Sequence, residues 1–598
     1  MRHNIGVKLR PQSYLVSIEG VTMLRSIFRK CIAMTALALL GAQSVVAAAP
    51  RYVESSPLAT TLATARIGDV APGSVQVPII TWGGDIATIL ANGNQARTAR
   101  GSLFAQEQLD INLVREDVFA KQVESYLSGR SPYLRGTLGM INMAADALAR
   151  DPRTKPVIVY QLTWSAGGDA LVVKQGIGSA RDLRGKTIAL QAYGPHVDYL
   201  TKILADAGLS INEVKLRWLP DLTGTENSPM RAFQQRDIDA ALVISPDATV
   251  LTSGGTVGNG AEDSVKGARI LLSTKTANRI IADVYAVRSD YLQRNRKSVE
   301  NFVHALFVAQ EKLAETVRSK STRAADYRAT MTAAAQLLLD SPQATADAEG
   351  LYADAEFVGH SGNVEFLTDR NYPRSAAKLT QEIQTAFASI GLVKGGRSLD
   401  TAGWDYNALR RGLSHADATD APKFNQSQVS AVVARKQQQG TLGEGELFSF
   451  EIFFQPNQNT FSADLYKEAF GKVIDLSSTY GGALITVEGH SDPMGYLRDR
   501  KDGKPDVVLN QVKQAAKNLS LSRAVAVRDN IMTFAQQKGI TLDATQFAVV
   551  GHGIGKPRSG VCGQDPCPPK NEREWRDNMR VEFRIIQVEA ESSVFKPL

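Results

Sequence analysis

Between residues 75 and 393, short apolar runs of strand length alternate with amphipathic segments of helix length. This alternation points to an α/β architecture with mainly parallel sheets. The runs are residues 77–81, 111–114, 157–160, 170–173, 187–190, 214–218 and 240–243. The helix-like segments include 197–207, closed by Gly208, whose missing Cβ suits a C-terminal cap. A different period starts at Leu447: a β run to 454, a helix over about 463–480, a strand at 483–488, a helix over about 520–538, and strands at 547–550 and 580–586. That β-α-β-α-β-β order describes a small α+β sandwich over 447–590. Residues 394–446, rich in Gly, Gln, Ser and Asp, read as a linker with one short helix near 427–436, and the small, polar residues 49–74 read as an N-terminal arm.

Residues 1–48 read as an export signal. A cationic stretch ends at Arg29 and Lys30, an apolar run covers 31–42, and Val46, Ala47 and Ala48 offer a cleavage site. The run is short for a bilayer span and is broken by Gln43 and Ser44, so cleavage is expected, with a retained anchor as the alternative. Met1 and Met23 are both available starts. The net charge of +7 would suggest nucleic acid, but most of the surplus lies in the leader (Arg2, Lys8, Arg10, Arg25, Arg29 and Lys30 against Glu19), so no nucleic-acid partner is indicated. Past the leader only Cys562 and Cys567 remain, in Cys-Gly-Gln-Asp-Pro-Cys. In an oxidising compartment two thiols with no neighbouring His make a small-loop disulfide, not a metal site.

Three motifs close the chain. Gly489-His490-Ser491-Asp492-Pro493-Met494-Gly495 follows a strand, Leu519-Ser520-Leu521-Ser522-Arg523-Ala524 opens a helix, and Gly551-His552-Gly553-Ile554-Gly555-Lys556-Pro557 precedes Asn578-Met579-Arg580-Val581-Glu582-Phe583. In this order they resemble the OmpA-like family of peptidoglycan-binding domains. The resemblance implies a site for the diaminopimelate of the peptide stem, with Asp492 and Arg523 matching the family's aspartate and arginine and Gly489, Ser491, Asn578 and Arg580 beside them. Diaminopimelate presents an ammonium and carboxylates, which call for an acceptor-only carboxylate and a guanidinium fork. Taken singly, Asp492 reads as a helix cap and Arg523 as a solvated helical charge; the combined order favours binding. Residues 496–515 occupy the place of a short loop, and Ala516 stands where the family usually has Asn. His490 and His552 read as turn-packing residues, and no metal or cofactor is expected.

The first region carries weaker motifs: Thr81-Trp82-Gly83-Gly84-Asp85, Trp164-Ser165-Ala166-Gly167-Gly168-Asp169, Gln191-Ala192-Tyr193-Gly194-Pro195-His196 and Ser245-Pro246-Asp247. In this order they resemble the extracytoplasmic solute-binding proteins of ABC importers, in the branch serving nitrate, sulfonates, taurine and thiamine precursors. The resemblance implies a two-lobed periplasmic-binding-protein fold of type II over residues 75–393. In open α/β sheets ligands sit beyond the carboxyl ends of strands, where Trp82, Gly83, Ser165, Gly167, Gly168, Tyr193 and Asp247 fall. Trp82 is equally a core residue, the Gly pair a turn, and Asp247 a cap.

The expectation is a wall-tethered periplasmic protein that captures a small polar or anionic solute for ABC import, with a permease as a further partner. A wall-anchored sensor or protein-interaction component is the alternative, because tethering works against diffusion to a permease. Catalysis is not expected: between residues 75 and 393 there is no His-x-x-x-His, no Cys cluster and no Gly-x-Ser-x-Gly.

Overall fold

The structure, a computed structural model, describes residues 49–255, 257–416, 424, 426–442, 446–454 and 466–586. The expected export leader, the linker stretches 417–423 and 443–445, the start of the helix expected from 463, and residues 587–590 lie outside them.

The first ten strands are β1 (Val75–Ile79), β2 (Ile111–Arg115), β3 (Tyr133–Thr137), β4 (Pro156–Ser165), β5 (Asp169–Val173), β6 (Thr187–Gln191), β7 (Lys215–Leu219), β8 (Ala240–Ile244), β9 (Arg269–Ser273) and β10 (Ala282–Arg288). They are followed by β11 (Ala355–Phe357) and β12 (Asp400–Thr401). One lobe has the sheet order β11-β4-β10-β3, with β12 also on β4 and the β1-β2 pair alongside; the other has β7-β6-β8-β5-β9. The chain passes between lobes twice, from β4 to β5 and from β9 to β10.

The expected mainly parallel sheets are corrected. β10 runs antiparallel to β3 and β4, and β5 runs antiparallel to β8 and β9. Among the described residues of these lobes, only the pairs β1-β2, β6-β7, β6-β8 and β12-β4 are parallel. β5 and β10 are the strands that follow each crossing, so they enter their new sheet from the opposite end. Hydrophobic period carries burial and not direction, which is why the sequence pattern could not show this. β4 is buried along its whole length, as an inner strand with both faces covered should be.

A buried ion triad pins the first lobe. Arg135 on β3 bonds Asp85 at 2.9 Å and Asp283 on β10 at 2.7 Å, with all three buried. The arm is anchored on both lobes: Val53 bridges Trp218 of β7, Leu58 and Leu62 are buried, and Arg288 holds the Gly68 carbonyl at 3.0 Å. The first half of the expected linker is also packed. Trp404 donates from Nε1 to the Val159 carbonyl at 2.9 Å, and Ala402 and Leu409 are buried. Three apolar residues spaced among Gly and Asp are too few to register as a pattern.

The C-terminal unit is built on β13 (Glu446–Phe453), β14 (Leu484–His490), β15 (Phe547–Gly553), the short hairpin β16 (Val561–Cys562) and β17 (Asp565–Pro566), and β18 (Arg580–Ile586). The main sheet has the order β13-β18-β14-β15, with β14 and β15 parallel. Helices Lys467–Thr479 and Asp506–Gln537 bury Phe470, Val473, Ala524, Val527 and Ile531 on one face, and Gln426–Gln439 lays Val429, Val432 and Val433 on the other. The insertion at 496–515 is helical: Met494–Lys501 is one helix, and the helix expected from 520 begins at Asp506. Pro505 sets that start, since no Pro or Gly interrupts the next 32 residues. Cys562 and Cys567 form a disulfide across the β16-β17 hairpin, to which the insertion is tied by Tyr496 and Arg500 bonding Asp565 at 2.7 and 2.8 Å.

This unit rests on the second crossing. Arg279 N donates to the Thr479 carbonyl, Gly482 N to that of Thr276, and Lys202 pairs with Asp475 at 2.8 Å. Among the described residues no helix is long and apolar enough to cross a membrane.

Candidate functional site

The first crossing brings much of the expected cleft together. Trp82 follows β1 and donates from Nε1 to Thr163 Oγ1 at 2.9 Å, with its ring against Gly168. Gly83 and Gly167 stand where a Cβ would strike Leu351 O and Asp354 Oδ1, so these turns need residues without side chains. Ser165 ends β4 and donates to Asp169 Oδ2 at 2.6 Å, while Asp169 Oδ1 receives the His196 Nε2 proton at 2.7 Å. Asp169 thus accepts from both neighbours and is a hub, not the end of a relay in which His would take the Ser proton. Tyr193 takes another course: its hydroxyl donates to Ser56 O at 2.6 Å and meets Thr61 Oγ1 at 3.3 Å, so it holds the N-terminal arm. Asp247, in the first turn of Ser245–Leu251, is buried with Oδ2 unpartnered.

Four polar residues here escaped the sequence reading: Asp169, His196, Asp198 and Asp354. Burial, with Asp169 nearby, pushes Asp198 up to about 7, against the opposing backbone N–H groups of Asp198 and Tyr199. Burial also pushes Asp354 up to about 6, with Lys275 opposing. Neither Asp198 oxygen has a hydrogen-bond partner of good geometry, and His196 Nδ1 has none. With the proton on Nε2, Nδ1 is an acceptor, and Asp198 in its ionised form adds two acceptor oxygens. The lobes meet at this point: a Cβ on Gly139, at the start of Leu138–Leu148, would lie 2.5 Å from Asp198 Cγ at the start of Val197–Asp206.

Asp198 carries a signed prediction. A carboxyl whose folded pKa of about 7 lies above its unfolded value near 4 supports folding when protonated; the contribution is full below about pH 4 and is lost as pH rises to about 7. Asp198→Asn should therefore stabilise the protein by about 1–3 kcal/mol at pH 8 and by little at pH 4. Urea unfolding at both pH values checks this, and an equal effect at the two would contradict it.

In the C-terminal unit the strand end and the long helix are in direct contact. A Cβ on Gly489 would strike the Ser520 carbonyl, Ser491 Oγ donates to Ala516 O at 3.0 Å, and Ser520 Oγ accepts from Gly553 N at 2.9 Å. Asp492 and Arg523 are carried by these two elements. Asp492 is half-buried; burial raises its pKa, the Trp575 side chain, the Met494 N–H and Arg498 oppose, and Oδ1 is buried without a partner. Arg523 is buried with its guanidinium 5.5 Å from the Phe454 ring centroid, and burial lowers its pKa. Asn578 and Arg580 serve inside the fold: Asn578 Oδ1 accepts from Arg558 N at 2.6 Å, and Arg580 pairs with Glu582 at 2.6 Å.

Two α/β lobes joined by two crossings, with ligandable acceptors at the first, are the class of protein this geometry defines. Residues 103–315, which span parts of both lobes, match the family model described as NMT1/THI5 like. Solved structures similar to the chain include the periplasmic aliphatic sulphonate binding protein SsuA of Escherichia coli, at 16% identity over 55% of this chain and 91% of that one, with a TM-score of 0.38. The periplasmic sulfonate-binding protein SsuA of Methylobacillus flagellatus KT matches at 15% identity over 59% and 97%, TM-score 0.40. The periplasmic nitrate-binding protein NrtA of Synechocystis PCC 6803 matches at 12% over 58% and 91%, TM-score 0.37. No curated protein matches the chain in sequence.

Proposed function

We propose that the protein is a periplasmic solute-binding component held at the cell wall, with a small polar solute taken between the lobes for ABC import and peptidoglycan taken by the C-terminal unit. The observation that carries the first half is the set of unpartnered buried acceptors at the first crossing: both Asp198 oxygens, Asp247 Oδ2 and His196 Nδ1. Buried acceptors cost stability until a donor reaches them, so the occupant is a solute rich in N–H or O–H groups. Of the polar and anionic solutes expected from sequence, this lining favours the polar class, including amine-bearing zwitterions.

The motif order, the contact of the Asp492 and Arg523 elements and the buried Asp492 Oδ1 support the second half. Thermal unfolding against a panel of amines, zwitterions, polyols, sulfonates and nitrate tests the solute reading. A ligand at about 100 times its Kd should add about 2.7 kcal/mol, and His196→Ala should remove that gain. No shift with any donor-rich solute would sink it. The contacts of the C-terminal unit with Thr276 and Arg279 favour a second reading, a wall-bound sensor in which lobe closure is felt at the wall unit. Under that reading solute changes the fraction that pellets with peptidoglycan; under simple import it does not.

A further inference from the structure

We propose that Glu488, His490 and His552 form a binding site for a divalent transition-metal ion of the zinc class in the C-terminal unit. Their ligand atoms all lie within 4.8 Å of one another, and all three side chains are buried. The local fold explains the grouping. Glu488 and His490 are two apart on β14 and so share a face. On the parallel neighbour β15, Gly551 pairs with Gly489 and Gly553 with His490, which leaves His552 as the extra residue of a bulge turned to the same two residues. The rings of His490 and His552 lie face to face, with centroids 4.9 Å apart.

Of the three ligand atoms, His490 Nε2 is the one the hydrogen bonds leave free. His490 Nδ1 is 3.2 Å from the Lys556 carbonyl, which can only accept, so Nδ1 carries the proton and Nε2 holds a lone pair. That lone pair is buried without a partner and faces Glu582 Oε2 at 3.7 Å, too far for a hydrogen bond. Two acceptors facing each other call for a cation between or beside them. Glu488 Oε1 is held by the Thr486 hydroxyl at 2.9 Å and paired with Arg584 at 3.2 Å, while Oε2 accepts the His552 Nε2 proton at 2.6 Å, a proton that a bound metal would displace. A carbonyl behind a histidine and a fixed carboxylate are the outer partners that metal ligands commonly have.

The charge around the site is net acidic. Through Glu446, Glu451, Glu488 and Glu582, four carboxylates join one network with three guanidiniums, Arg558, Arg580 and Arg584. Among the described residues the network is one positive charge short when both imidazoles are neutral. Two imidazoles and one carboxylate suit zinc and its first-row neighbours better than calcium or magnesium, which prefer all-oxygen shells. Metal–ligand bonds of about 2.0–2.1 Å set tetrahedral ligand atoms about 3.4 Å apart, so the His552 and Glu488 atoms, 2.6 Å apart, would open to admit the ion.

The test uses tag-free, metal-stripped full-length protein in equilibrium dialysis against buffered free zinc, with bound metal measured by atomic absorption. Cobalt is the spectroscopic stand-in. The expected result is one zinc per chain, a visible cobalt band of a low-coordinate site, and a zinc-dependent rise in unfolding temperature. His552→Phe keeps a stacked ring and should weaken zinc at least about tenfold, as should Glu488→Gln, with circular dichroism reporting whether each variant folds. If Glu488→Gln fails to fold, His552→Phe decides alone. Absence of stoichiometric zinc in the wild type, or equal binding by a folded His552→Phe, would overturn the site.

Discussion

Asp492→Ala, or Arg523→Ala, should abolish most pelleting of the full-length protein with purified diaminopimelate-type peptidoglycan, at a loss of about 2–5 kcal/mol of binding free energy. Asp492 has a buried oxygen waiting for a donor, and the ligand ammonium would supply it. Deleting the carboxylate leaves that ammonium desolvated and unpaired, which is where most of the loss comes from. Because burial raises the Asp492 pKa, binding through its ionised form should also weaken in acid. The two variants should differ in stability. Asp492 sits at a strand end and its removal should cost little, whereas Arg523 is buried over Phe454, so Arg523→Ala also deletes packing. Arg523→Lys separates these effects: it keeps the charge and much of the stem but loses the bidentate fork, and it should fold well yet pellet poorly. Variants that pellet as well as wild type would remove the wall-binding assignment.

Arg135→Met should cost about 3–5 kcal/mol of folding stability, because it leaves Asp85 and Asp283 buried beside each other without their cation. Burial already pushes Asp85 up to about 6 and raises Asp283, even with Arg135 opposing. Without the guanidinium both carboxyls should hold protons to higher pH. The loss should therefore be smaller near pH 5, where a neutral carboxyl is tolerated, than near pH 8. Urea unfolding of variant and wild type at the two pH values measures it. A loss under about 1 kcal/mol at both would mean the triad carries little of the lobe's stability.

How far the sequence could be read follows from the kind of signal each part leaves. The alternation of strand and helix from residue 75 onward is a burial pattern, and its seven apolar runs fall on β1, β2, β4, β5, β6, β7 and β8, while β3 and β9 to β12 are not among them. It could not give strand direction, because β5 and β10 owe theirs to crossings that leave no period. The sequence marks the stretches flanking the lobes as an arm and a linker, and single anchors such as Leu58, Trp404 and Leu409 pack them onto the lobes. At the cleft, Trp82, Ser165, Gly167 and Gly168 come together, whereas Tyr193 turns to the arm. Asp169 and His196 close motifs that are legible for their glycines and aromatics, and Asp198 lies two residues past one, so none of the three stands out in the sequence as a site residue. In the C-terminal unit, motif order placed Asp492 and Arg523 on touching elements. His490 and His552 were read as turn packing because a bulge, invisible at sequence level, brings His552 onto the face of Glu488 and His490.

The central claim is that the buried acceptors between the lobes hold a donor-rich solute in the exported protein. Native mass spectrometry of the full chain purified from its own periplasm tests this most directly, because a closed interlobe site retains its ligand through gentle purification. The account predicts a species heavier than the polypeptide by one small molecule, released on collisional activation and absent from His196→Ala prepared in parallel. A wild-type protein that carries only its polypeptide mass, and whose unfolding no donor-rich solute shifts, would contradict it.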